Sequence, residues 1–246
     1  MKKLLLFIPA FLLVIISTAQ ETQKAKKDWS KVKLTGRAND HFMIQYGIAN
    51  WGQTPDSVAP SGTSRSFNFY VMMDMPFKTD PRFSVAFGPG ISTDHYFFKN
   101  KNITLTDKRN PLRIQNVADT NHFSKYKLAI AYLELPVELR FCLNPENSNS
   151  SFKAALGVKV GLLASAHTKG KGWVDKTNSL VAGYDESFIQ KQKGKSFFNS
   201  NRIVGTFRVG YGNISIYANY QLGSLIKEGL GPTAKPYSLG LTISGL

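Results

Sequence analysis

Residues 129–141 read AIAYLELPVELRF, and their pattern decides the fold. Ala129, Ala131, Leu133, Leu135, Val137, Leu139 and Phe141 fall on alternate positions. Tyr132, Glu134, Glu138 and Arg140 lie between them. A period of two is the signature of a β-strand, whose successive side chains point to opposite faces. Pro136 is the odd member, because it has no N–H for a ladder, so a bulge or weakened pairing is expected there.

Working outward, the same alternation marks eight stretches: 42–51, 65–75, 82–98, 126–142, 152–167, 201–211, 214–222 and 236–244. The links between them cover 52–64, 76–81, 99–125, 143–151, 168–200, 212–213 and 223–235, and long alternates with short throughout. Gly212-Asn213 is a two-residue hairpin turn by composition. Short turns on one side, long loops on the other and an even strand number are the marks of a transmembrane barrel. The expected fold is therefore all-β: an eight-stranded antiparallel up-and-down transmembrane β-barrel with long extracellular loops.

Alternation alone does not say which face is inside. A soluble barrel turns its apolar face inward, and a membrane barrel turns it outward. Aromatic placement favours the membrane. Phe42, Phe83, Phe141, Phe152 and Tyr211 lie at strand ends near the short turns, while Phe67, Phe97, Tyr220 and Tyr237 lie at the opposite ends. Two aromatic girdles bracketing an aliphatic band suit a bilayer. The opposite face is rich in Gly, Ser, Asn and Thr and carries both signs of charge. In a narrow bore Glu134, Glu138, Arg140, Lys159 and Arg208 are expected to neutralise one another, since buried charge persists only when paired.

The N-terminus agrees with export. Lys2 and Lys3 precede an apolar run from Leu4 to Ile16, and Ser17-Thr18-Ala19 supplies small residues for cleavage. The run is shorter than the roughly 20 residues of a spanning helix. Three parts are expected: a signal peptide over 1–19, a polar periplasmic lead-in over 20–40 and the barrel domain over 41–246. Cys142 is the single cysteine, so no internal disulfide supports the fold. The net charge of +15 falls to +13 when Lys2 and Lys3 leave. Export makes nucleic acid an inaccessible partner. The expected contacts are outer-membrane lipid, the phosphates of lipopolysaccharide or another anionic polymer, and a possible protein partner.

The segment YLELPVELRF, Tyr132 to Phe141, resembles the YLE-[IL]-P-[VL]-E-L-[RK]-F strand of PorT-like outer-membrane β-barrel proteins of the Bacteroidetes group. Residues 152–164, after a Pro/Asn-rich turn, and the closing PYSLGLTISGL of 236–246 are similar to that family too. So is a signal ending in Ala19-Gln20. The resemblance spans about residues 40–246. It implies an outer-membrane barrel without catalytic residues, in a family whose founding type is implicated in protein secretion across the outer membrane. The chain departs from the terminal aromatic common in outer-membrane proteins, because it ends Gly245-Leu246.

Chemistry is sparse. Ser92, Asp94, His95, Ser165 and His167 supply the types for a hydrolytic set, but no nucleophile-elbow sequence accompanies them and His95 has the opposite parity to Ser92 and Asp94. No metal-ligand spacing or phosphate-cradling loop is present. Neither an enzyme nor a cofactor is expected. The most informative link is 168–200, where Lys169, Lys171, Trp173, Lys191, Lys193 and Lys195 mix basic and aromatic character. These are the candidate surface contacts, with a solvated loop folded over the mouth as the plain alternative. An eight-stranded bore is just wide enough for side chains to fill it. A plugged structural or surface-interaction barrel is thus the first functional expectation. A transport element, either a narrow channel or a secretion accessory, is the alternative.

Overall fold

A computed structural model describes residues 41–61, 64–107 and 111–245. The expected signal peptide and lead-in, 1–40, lie outside the described residues. Thirteen strands follow in order among those described. They are β1 (Phe42–Gly52), β2 (Arg65–Val71), β3 (Met73–Pro76), β4 (Phe83–Phe87), β5 (Gly90–Phe98), β6 (Lys101–Ile103), β7 (Ile114–Asn116), β8 (His122–Cys142), β9 (Phe152–Val174), β10 (Ile189–Lys193), β11 (Asn201–Tyr211), β12 (Ile214–Gln221) and β13 (Lys235–Ser244).

Eight wall positions close into a ring. Going round, β1 pairs with β2, β2 with β5, β5 with β8, β8 with β9, β9 with β11, β11 with β12, β12 with β13, and β13 returns to β1. Every pairing is antiparallel, and Met43 opposite Ser244 begins the closing ladder. Closure leaves no sheet edge in the ring, which is what a bilayer without hydrogen-bonding partners demands.

Two expected strands are interrupted. The 65–75 stretch breaks at Met72 into β2 and β3, and the Met72 N–H donates instead to the His41 carbonyl at 2.6 Å. The 82–98 stretch breaks at Gly88-Pro89 into β4 and β5. Pro136 causes no bulge, the first of the two expected outcomes. It stands in register opposite Lys159, and the irregularity falls instead between Ala131 and Tyr132. The β4 ladder with β8 ends at Phe87–Val137, and the β5 ladder begins at Gly90–Glu134. Pro136 therefore lies opposite the interruption in the neighbouring wall, where a missing N–H costs the ladder least.

Two links are also less loop-like than expected. β8 begins at His122, and β9 runs on to Val174. β10 pairs with the upper end of β9, Lys193 opposite His167 and Ile189 opposite Lys171. Residues 168–174 and 189–193 of the supposed 168–200 loop are thus an extension of the wall. Crossing a bilayer takes about 9–11 tilted residues, so roughly half of the 23-residue β9 stands above the membrane. At the periplasmic side the turns stay tight. Gly212 holds φ +59° in the two-residue turn, a conformation that suits glycine, and its neighbour Asn213 stays out of the positive-φ region.

The wall is inverted in its lower part. Leu156 is 65 % exposed and Leu162 59 %, whereas Glu138 on the inner face is 0 % exposed. Phe83 and Phe141 pack at a ring distance of 5.2 Å in the lower girdle, and Phe152 pairs with Tyr211 there. Tyr220 pairs with Tyr237 at the upper side. Among the described residues no helix is long and apolar enough to cross a membrane; the strands do the crossing.

Candidate functional site

Inward-facing positions of the lower wall build two ion clusters in the bore. In the upper one, Arg202 at the start of β11 donates through Nε to Glu134 Oε1 at 2.7 Å and through Nη1 to Asp94 Oδ2 at 2.9 Å. Its guanidinium lies 3.9 Å from the Tyr132 ring centre. Tyr70 donates to the other Glu134 oxygen at 2.6 Å. Lys159 donates to Tyr70 Oη at 3.1 Å and to Gln45 Oε1 at 2.9 Å. A continuous chain of charge-assisted bonds thus runs from Lys159 on β9 across to Tyr70 on β2 and back through Glu134 on β8 to Arg202 on β11.

The lower cluster centres on Glu138. Its Oε2 accepts from Arg208 Nη2 at 2.7 Å and from Arg140 Nε at 3.1 Å. Arg140 also lies 3.8 Å from Asp74 Oδ1, which accepts from Ser84. Glycine makes room for these acids. A Cβ on Gly157, opposite Glu138, would come within 2.2 Å of the Val137 carbonyl oxygen. The two clusters together hold four cations (Arg140, Lys159, Arg202, Arg208) and four carboxylates (Asp74, Asp94, Glu134, Glu138). The balance removes the cost of a lone buried charge.

Of the charges singled out in the sequence, the structure brings Glu138, Arg140 and Arg208 into direct contact. It links Lys159 to Glu134 through Tyr70. Sequence reasoning missed Arg202, Asp94 and Asp74 as members. The available signal was parity: Arg202 is in phase with Arg208, and Asp94 with Ser92.

Above the ions the bore becomes apolar. Tyr96, Leu128 and Ile130 from the wall pack against Leu105, Phe197, Phe198 and Ile226 from the upper links. Tyr126 Oη accepts from the Ile103 N–H at 3.1 Å and donates to the Ile103 carbonyl at 2.8 Å, tying the β6 region into the mouth. The Phe197 carbonyl accepts from the Lys227 N–H at 2.9 Å. Between cap and ions remains a cavity of about 20 Å³, lined in part by Tyr70, Glu134 and Asn219. That is room for about one water.

The surface candidates do not form a single loop site. Lys169, Lys171 and Trp173 belong to β9, and Lys191 and Lys193 to β10. Lys195 follows β10, and its amine reaches the Ala164 carbonyl at 3.4 Å. Trp173 packs edge-on against Phe123 at 4.7 Å, in an aromatic cluster with Tyr184 and Phe188. Lys127, on the outer face of β8, lies 3.2 Å from His95 Nδ1. Burial and then the Lys127 charge hold the His95 imidazole below its ordinary pKa. His167 is lowered by burial and then by Lys191 and Lys127. Lys127 is itself lowered, by burial and then by Lys169 and Lys191.

The hydrolytic set does not converge. Ser92 donates to Asn68, Asp94 accepts from Arg202, and His95 faces Lys127. Among the described residues no group of three or more His, Cys, Asp or Glu is placed to hold a metal ion.

A closed ring with an apolar outer band, aromatic girdles and an ion-filled bore is a transmembrane β-barrel. More particularly, residues 22–228 match the family model of the outer membrane protein beta-barrel domain, and the chain belongs to that family. It is an outer-membrane protein. No curated protein matches the sequence. Solved structures similar to the chain include two of one protein. Ail, the attachment invasion locus protein of Yersinia pestis, shares 12 % identity over 82 % of this chain and 95 % of its own, with a TM-score of 0.35. Ail in complex with the heparin analogue sucrose octasulfate shares 13 % over 82 % and 96 %, with a TM-score of 0.33.

Proposed function

We propose that this protein is a non-conducting outer-membrane barrel that acts at the cell surface. Its basic upper wall meets an anionic partner, with lipopolysaccharide first among the candidates and an acidic polymer or protein behind it. The observation that carries this reading is the double closure of the bore. Ion pairs fill its middle and an apolar core fills its mouth, with a cavity of about 20 Å³ between them. The two ion clusters balance four against four, so the net charge of +13 that remains after loss of Lys2 and Lys3 lies outside them. A basic surface attracts polyanions and is screened by salt.

The test is conductance. Purified protein inserted into a planar bilayer should give no discrete current steps. Reproducible steps would overturn the reading and move the transport alternative, a narrow channel or secretion accessory, ahead. Two finer points belong to the same proposal. Kinship with the PorT-like group rests on the YLELPVELRF strand. Export rests on the N-terminal pattern, for which the protein isolated from outer membranes should begin at Gln20.

A further inference from the structure

The outer face of the tall wall changes character just above the lipid-facing band. On β8 the outward series runs upward from Phe141 to Leu133 as apolar residues and then reaches Lys127 and Lys125. On β9 it passes Val160 and Leu162, crosses the irregularity and continues through His167, Lys169 and Lys171. The strand ladders set these cations in rows. Lys127 stands opposite Lys169, and Lys169 opposite Lys191. Lys125 faces Lys171 in the row above, and His167 faces Lys193 in the row below. With strands about 4.8 Å apart and same-face residues about 6.8 Å apart, six lysines share a patch of roughly 10 by 14 Å.

Like charges placed directly opposite each other destabilise a sheet. In the bore Arg140, Arg202 and Arg208 meet carboxylates directly, and Lys159 reaches Glu134 through Tyr70. Here the outward positions of the three rows carry no carboxylate, from His95 and Phe97 on β5 to Ile189, Lys191 and Lys193 on β10. Lys127, His95 and His167 are also half-buried rather than waving in solvent. The repulsion lacks an intramolecular answer, so the counter-charge comes from outside.

The location selects its source. The patch faces sideways, not upward, and it stands directly over exposed Leu133 and Leu162, where hydrocarbon gives way to headgroups. Among the described residues the far side of the barrel has no such cluster, and Lys235 stands alone above Tyr237 on β13. There Asn50 and the tyrosines Tyr237 and Tyr220 occupy one row at the upper boundary. We infer that the β8–β9–β10 face is a one-sided binding site for the phosphorylated sugar headgroup of an outer-leaflet glycolipid, with Lys127, Lys169 and Lys191 as the central phosphate contacts. Lysine amines bind phosphate as point charges. The inference rests on the proposed surface-interaction reading and adds the lipid, the face and the residues.

The test uses full-length protein in phosphatidylcholine nanodiscs doped with bis-phosphorylated lipid A or with the same lipid dephosphorylated. Lipid retained after detergent extraction is counted by native mass spectrometry. Wild-type protein should retain the phosphorylated form, and the Lys127→Gln/Lys169→Gln/Lys191→Gln variant should lose roughly a hundredfold of that affinity. Lys176→Gln/Lys227→Gln/Lys235→Gln should behave as wild type. Equal retention of dephosphorylated lipid A, or equal loss in both variants, overturns the site. Folding is controlled in two ways. The Lys→Arg triple should keep the lipid, and the Gln triple should melt no lower than wild type in lipid-free detergent, because it removes repulsion. A lower melting point contradicts the inference. Soluble polyphosphate separates this site from the broader reading. Loss of polyphosphate binding with lipid retention intact sinks the lipid site alone, whereas wild-type protein that binds neither probe sinks both.

Discussion

The lower and upper halves of the same two strands obey opposite rules. Below Leu133, β8 turns Leu135, Val137 and Leu139 outward and Glu134, Glu138 and Arg140 inward. Above it, Tyr126, Leu128 and Ile130 face inward and Lys125 and Lys127 outward. The backbone parity continues across the boundary on β8; what changes is the solvent outside. In lipid the greasy face must be the outer one, and the interior can afford ions only because they are paired. In water the wall reverts to an ordinary barrel with an apolar core. The outer boundary of the membrane is thereby written into β8 as a change of hydrophobic phase near Tyr132–Leu133.

The most disruptive way to break this contrast is to unbalance the lower half. Glu138→Ala leaves Arg208 and Arg140 in the bore without their shared carboxylate. The expected loss is about 3–5 kcal/mol, read from urea unfolding of the protein in lipid vesicles. An unchanged midpoint would mean that the contacts carry no weight. Next in size is a charge moved along the outer face of β9. Val160→Arg, 52 % exposed within the band, should cost about 2–4 kcal/mol. Ser165→Arg, five residues higher and exposed, should stay within about 0.5 kcal/mol in the same assay. Similar losses at both sites would move the boundary. Smaller again is Gly157→Ala, whose Cβ must push the Val137 carbonyl aside. About 1–3 kcal/mol is expected, with a downward shift in the temperature at which gel mobility changes.

The barrel itself was legible because closure, loop asymmetry and the girdles all leave marks of period two. Phe83 with Phe141, and Phe152 with Tyr211, meet across strands as their positions near the short turns implied. The phase change was not legible. Ala129 and Ala131 continue the apolar alternation on paper, yet alanine fits either face. The real apolar series above the boundary is Tyr126, Leu128 and Ile130. The upper wall looks like loop in the sequence because Gly170, Gly172 and the interspersed lysines weaken the pattern, and an irregularity below them resets the parity of β9. Within the bore, Glu138 and its two arginines could be gathered by parity. Arg202 shares that parity, but parity alone does not name its partners, Glu134 and Asp94, which stand on two other strands. Asp94 is a chain neighbour of His95, but its side chain turns to the other face and meets Arg202.

The most direct test is a nitroxide scan of the outward positions 125, 127, 133, 135, 137 and 139. The lone native Cys142 is first replaced by Ser, and the protein is then reconstituted in vesicles. Collision with oxygen should dominate from 133 to 139, and collision with a water-soluble nickel chelate at 125 and 127, with the switch falling between 127 and 133. Strong nickel collision along the whole series would contradict the inverted lower wall and the membrane boundary drawn from it.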